Sequence, residues 1–189
     1  MASKPPTSVF NPQRLDALRF AQAGARLDGD PPLADFRRLA SDLHAPADAQ
    51  ERVRWSAEGE MRAGPSGGAP QAWLHLRAEA CVPLTCQRCL GPVQTPIEVD
   101  RWFRFVADEA TAEAQDDDSE EDLLALEPRP SLIEVVEDEL ILSLPLVPVH
   151  ERCPQPLPDG VGTQAEEGEG SGSERPHPFA SLAKLKGRS

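Results

Sequence analysis

Two short motifs in this 189-residue chain carry side chains able to do chemistry. Cys86-Gln87-Arg88-Cys89 holds two thiols, and His150-Glu151-Arg152-Cys153 holds an imidazole and a third thiol at the same spacing. Two ligands so spaced can reach one ion from a single turn of chain, and Zn²⁺ favours four tetrahedral nitrogen or sulfur ligands. Cys86, Cys89, His150 and Cys153 together form a Cys₃His set for one structural Zn²⁺, closed to substrate. Arg88 and Arg152, inside the motifs, could offset the negative charge of three thiolates around the ion. The 60 residues between Cys89 and His150 leave it to the fold to bring the pairs together.

Two other readings of the cysteines stay open: ordinary reduced thiols packed at a corner, and a thiol-disulfide redox protein using the Cys86/Cys89 pair. A thioredoxin-like site would stand at a helix N-terminus, where the dipole lowers the thiol pKa, whereas Leu90-Gly91-Pro92 does not continue as a helix. Cys81 reads as a small buried residue of the preceding strand. His44, His75 and His177 have no neighbouring motif that pairs them with a nucleophile, and no glycine-rich phosphate loop is present. Glu137-Asp138-Glu139 reads as a solvated helix face. The expectation is a protein that is not an enzyme and takes no small-molecule substrate.

The elements that must position these motifs are legible in the apolar pattern. Val53 to Met61 alternates, Gly64 to Pro70 is loop-like, and Trp73 to Val82 resumes with Leu74, Leu76, Ala78 and Ala80 on one face. Val93 to Val106 places Val93, Ile97, Val99, Phe103 and Phe105 on alternate positions, so Cys86-x-x-Cys89 falls on the tip between two antiparallel strands. Ser131 to Glu134 is a capping box, which starts a helix that must end before Pro145. Leu132, Val136, Leu140 and Leu144 form its apolar ridge. Short helices are expected from Asn11-Pro12 to Gly24, and from Leu33 to Leu39 with Arg37 and Arg38 facing away. The fold class is α+β: a small antiparallel sheet covered by the helix at about 131–144 and by N-terminal helices, with an acidic loop and a disordered tail.

Charge is uneven. Residues 1–107 hold 13 Lys/Arg against 12 Asp/Glu and residues 108–189 hold 6 against 20, giving +1 and −14, the net −13 of the chain. Like charges from Asp108 to Asp122 repel, so about 107–122 reads as a disordered loop within a single domain of residues 1–155. Residues 156–176 read as a flexible linker, and 177–189 as a short amphipathic segment with Phe179, Leu182 and Leu185 at spacing three. A sequence pI of about 4.7 gives no general attraction to RNA. Arg14, Arg19, Arg26, Arg37, Arg38, Arg52 and Arg54 leave the first third available for a local contact. The opening residues carry no apolar run of signal length, and nothing is apolar enough to span a bilayer, which predicts a cytoplasmic protein with reduced cysteines and no membrane contact.

Three blocks carry a further likeness: Cys86-Gln87-Arg88-Cys89-Leu90-Gly91-Pro92-Val93, the stretch Val136 to His150 with its Leu144-Pro145-Leu146-Val147-Pro148, and Pro178-Phe179-Ala180 to Lys186. In kind and order they resemble the signature blocks of the bacterial YceD family, and the likeness extends from about Asn11 to Lys186. The resemblance implies a non-enzymatic factor for normal accumulation of 23S ribosomal RNA, typically encoded beside a large-subunit ribosomal protein gene and genes of fatty-acid synthesis. The partner would be a large-subunit rRNA precursor or a basic ribosomal protein, the latter better matched to the chain's charge.

Overall fold

Three long alternating segments pair in sequence order to make the centre of the protein. The computed structural model describes residues 10–48, 50–64 and 68–154. The expected linker 156–176 and amphipathic segment 177–189 lie outside them. Strand β1 is Arg26–Gly29, β2 Val53–Arg62, β3 Gln71–Thr85, β4 Pro92–Asp108 and β5 Asp122–Glu127, arranged β1-β2-β3-β4-β5 in one five-stranded sheet. The first three pairings are antiparallel. The β4–β5 pairing is parallel, so the sheet is mixed rather than wholly antiparallel as expected.

Alternation decides what each face does. Leu74, Leu76, Ala78, Ala80, Val82 and Leu84 of β3 are buried, as are Val93, Ile97, Val99, Phe103 and Phe105 of β4. These form one hydrophobic core with the helices laid over that face. Helix α1, Ala17–Gln22, is capped by Asp16 rather than by Asn11. It rests directly on β2: a Cβ at Gly59 would lie 2.5 Å from the Phe20 ring and 2.9 Å from the Ala21 backbone, so this close approach requires glycine. The second predicted helix is a 3₁₀ turn, Leu33–Asp35, followed by helix α2, Arg37–Ser41.

Helix α3, Glu109–Asp116, occupies the stretch read as a disordered acidic loop. Three alanines favour the helix, and Asp108 caps it through the Thr111 N–H at 2.8 Å. The buried Arg104 then gathers the far end, donating to Gln115, Ser119 and Glu121. Repulsion among the carboxylates is thus opposed by Arg104, by Arg101 4.0 Å from Asp122, and by solvent on the helix's other sides. The crossover through α3 is what makes β5 parallel to β4.

Helix α4, Leu132–Leu142, starts at Ser131, whose hydroxyl accepts from the Glu134 N–H at 3.3 Å. Leu132, Val136 and Leu140 are fully buried. The acidic triplet that follows is not a solvated face. Glu137, only 8% exposed, accepts the Arg38 N–H at 2.7 Å, the Leu39 N–H at 3.2 Å and the Arg38 Nε–H at 3.0 Å, while Asp138 binds the same guanidinium. Phe36 has no side-chain acceptor to cap α2, so a carboxylate from α4 supplies one. Arg38 therefore ties two helices together instead of facing away. Glu139 is buried as well, which pushes its carboxyl up against the pull of Arg101, 3.6 Å away.

Replacing Glu137 with Ala leaves two backbone donors under α4 without their acceptor, and should lower unfolding free energy by about 2 kcal/mol. Asp138→Ala, at a half-exposed ion pair, should cost less than about 1 kcal/mol. Urea midpoints of the two variants check the order.

Candidate functional site

The corner between β3 and β4 is built from backbone hydrogen bonds. The Cys86 N–H donates to Gly91 O and the Leu90 N–H to Cys86 O, both at 2.9 Å, closing a loop around the Cys86 sulfur. Leu90 turns it with φ +59°, a left-handed conformation uncommon for a leucine, and it is 68% exposed. After α4 the proline-stiffened chain returns to this corner. The Gln87 N–H donates to Pro148 O at 2.9 Å, and the Arg88 guanidinium binds the carbonyls of His150 and Glu151.

These contacts bring the two motifs together. One ligand atom from each of Cys86, Cys89, His150 and Cys153 lies within 4.8 Å of the other three. Ligands around one tetrahedral Zn²⁺ would stand about 3.5–3.8 Å apart. His150 Nδ1 is 3.4 Å from Cys89 Sγ, and its Nε2 faces Pro92 O at 2.9 Å. A ring nitrogen held on a backbone carbonyl leaves the other nitrogen as an acceptor aimed at the sulfurs, as metal-binding histidines are held. The donor set and its orientation fit a metal ion.

Protons are unevenly shared across the cluster. Burial pushes the Cys86 thiol up, but hydrogen bonds from the backbone N–H groups of Cys89, His150 and Arg88 outweigh it and hold Cys86 down to about 5. Burial raises Cys153, helped by its hydrogen bonds to Cys89 and Cys86 and opposed by Arg88. One sulfur is therefore held as a thiolate, toward which a cation is drawn. Arg88 donates to the carbonyls of His150 and Glu151 on the return segment, whereas no such contact joins Arg152 to the motifs among the described residues. Cys81 is exposed, not buried, with its sulfur 3.4 Å from the Gln94 side chain; the period of two that buries Ala80 and Val82 turns it outward.

The outer face of the sheet holds a second constellation that the motif reading missed. His75 Nε2 meets Asp100 at 2.6 Å, Arg77 Nε meets the same carboxylate at 3.1 Å, and the His75 ring stacks on Trp102 at 4.0 Å. Arg62 lies over Trp102 at 3.8 Å and over Trp73 at 4.4 Å. The signal was available, since Trp73, His75 and Arg77 share one parity of β3. Of the arginines noted in the first third, Arg26, Arg38, Arg52 and Arg54 are each paired with a carboxylate. Among the described residues no helix is long and apolar enough to cross a membrane.

Comparison with known proteins agrees with the three blocks. The model of the family described as "Large ribosomal RNA subunit accumulation protein YceD" matches residues 74–186, a span containing all of them. A protein of Haemophilus influenzae named "Large ribosomal RNA subunit accumulation protein YceD" is 39% identical over 112 residues, which cover 56% of this chain and 60% of that relative. No solved structure matches the chain.

The Asp100 carboxyl is held below its usual value first by the His75 hydrogen bond and then by that of Arg77, against the opposing effect of burial. A depressed carboxylate adds stability above its unfolded pKa of about 4 and loses it as pH falls through the lower folded value. The stability gap between the native protein and Asp100→Asn should therefore be full at pH 6 and close toward pH 2, as read from urea unfolding at several pH values.

Proposed function

The chain belongs to the YceD family, and from that premise we propose that it acts without catalysis, as a binding factor in the accumulation of large-subunit ribosomal RNA. The observation that carries the reading is the family match across residues 74–186, which takes in the corner, the return segment and the last block. The Cys₃His cluster supports a structural role for the corner. Cys86, Cys89, His150 and Cys153 would hold one Zn²⁺, and the ion would supply cross-linking of two segments distant in sequence. The chain's own residues do the rest: Arg88 and the Gln87 N–H clamp the return segment, and Pro92 O orients His150. Residues 1–155 would fold as one domain around this tie, joined through 156–176 to the last segment.

Charge favours a protein of the particle over bare RNA as the direct partner. Four of the seven arginines that could have formed a basic patch are already neutralised by carboxylates. The chain carries 32 Asp/Glu against 19 Lys/Arg, a balance that attracts a basic ribosomal protein and repels phosphate. The alternative of thiol-disulfide exchange by Cys86 and Cys89 has the low Cys86 pKa in its favour.

Deletion of the gene should lower 23S rRNA and large-subunit particles in gradient profiles; unchanged profiles would end the assignment. Elemental analysis of purified protein should give one zinc per chain, lost in both Cys86→Ser and Cys153→Ser. A metal-free native protein that exchanges disulfide with a dithiol substrate would transfer the cysteines to redox chemistry.

A further inference from the structure

The two edges of the sheet are treated differently by the chain. β1, Arg26–Gly29, has four residues and runs into Asp30-Pro31-Pro32, a short edge ended by prolines that offers little to pair with. β5, Asp122–Glu127, is longer and has neither lysine, proline nor glycine within it. It pairs with β4 on one side, and on the other has no backbone partner among the described residues. Leu124 and Leu126 point to the core, while Leu123 and Ala125 lie on the opposite face, all four half-buried. Apolar in its middle and without a backbone partner on this side among the described residues, this edge is a template for another strand.

Its surroundings select the occupant. From Phe105 to Pro128 there are ten acidic residues and no basic one, and two of them, Asp122 and Glu127, end the strand itself; of these ten, Arg101 and Arg104 of β4 reach only Asp122, at 4.0 Å, and Glu121, so the balance around the edge stays strongly acidic. A second copy docked two-fold and antiparallel would set Asp122 opposite Glu127 at each end, like charges that oppose pairing. A phosphate backbone is repelled by the same groups. An extended segment with Lys or Arg at alternate positions meets neither obstacle, since its backbone completes the ladder, its apolar residues extend the face of Leu124 and Leu126, and its cations lie on the other face, which carries Glu127, within the acidic field of the neighbouring carboxylates.

We infer that β5 is the docking edge for an extended basic peptide segment of a partner protein, added as a sixth strand beside β5. The inference deepens the reading above, because it supplies a place where a basic protein of the large subunit would be held. Binding at the edge is measured apart from any effect on rRNA, so either can fail alone.

The test uses the full chain and an octapeptide of alternating lysine and valine, with the glutamate–valine octapeptide as its control. Calorimetric titration should detect the lysine peptide alone, more weakly as salt is raised. Hydrogen exchange should slow at the amides from Leu123 to Glu127 that do not already bond to β4. The double variant Asp122→Lys with Glu127→Lys should bind about tenfold or more weakly while keeping the native unfolding midpoint. Absence of binding, equal binding of the glutamate peptide, protection that spares β5, or self-association through β5 would each overturn the inference. Should the double variant misfold, the exchange pattern of the unaltered protein decides alone.

Discussion

The long antiparallel pairing of β3 with β4 is the constraint on which the other features depend. Its register runs from Trp73 opposite Arg104 to Thr85 opposite Pro92. One face of that ribbon carries the apolar residues against which α1 and α4 are buried, and the other carries His75, Asp100 and Trp102. Its closed end is the cysteine corner. The far side of β4 is the edge on which β5 pairs. A slip of one residue would exchange the two faces, exposing the core residues and burying the ion pairs, so burial holds the register.

Two ties then convert this ribbon into a positioned site. Glu137 accepts backbone donors from α2 while Leu132, Val136 and Leu140 anchor the helix on the sheet, which sets where the chain leaves α4. Pro145 and Pro148 limit the paths open beyond it. The segment then reaches the corner at Gln87 and Arg88, and His150 arrives with one nitrogen bound to Pro92 O and the other facing sulfur. The exposed apolar residues Leu142, Leu146 and Val147 lie along the same segment, so the tie holds a surface as well as a cluster.

Acidity has two different uses in the fold. Glu137 and Glu139 lie inside, next to arginines, where their charge caps a helix or faces Arg101. The carboxylates from Asp108 to Asp122 lie around α3: Asp108 caps it, Arg104 draws Glu121 inward, Asp122 faces Arg101 at 4.0 Å, and most of the rest are exposed. The first set shapes the protein, and the second shapes the field around the β5 edge.

Much of this was legible in the linear chain because it depends on neighbours in sequence. Alternation of apolar residues marked β2, β3 and β4, Ser131 marked the start of α4, and the spacing of Cys86, Cys89, His150 and Cys153 marked them as ligand types, because period and capping are local properties. What was misread required knowledge of contacts. Asp108 to Asp122 repels itself, and although its alanines and the Asp108 cap favour a helix locally, the contacts of Arg104 on β4 with Gln115, Ser119 and Glu121 hold the segment on the sheet. Glu137 looks solvent-bound until α2 presents two uncapped donors to it, and Arg38 looks free until α4 is beside it. β5 and the parallel edge emerge once α3 forms. The meeting of the two cysteine motifs across 60 intervening residues was likewise decided in three dimensions, since spacing within a motif names ligands but only packing places two motifs within a few ångströms.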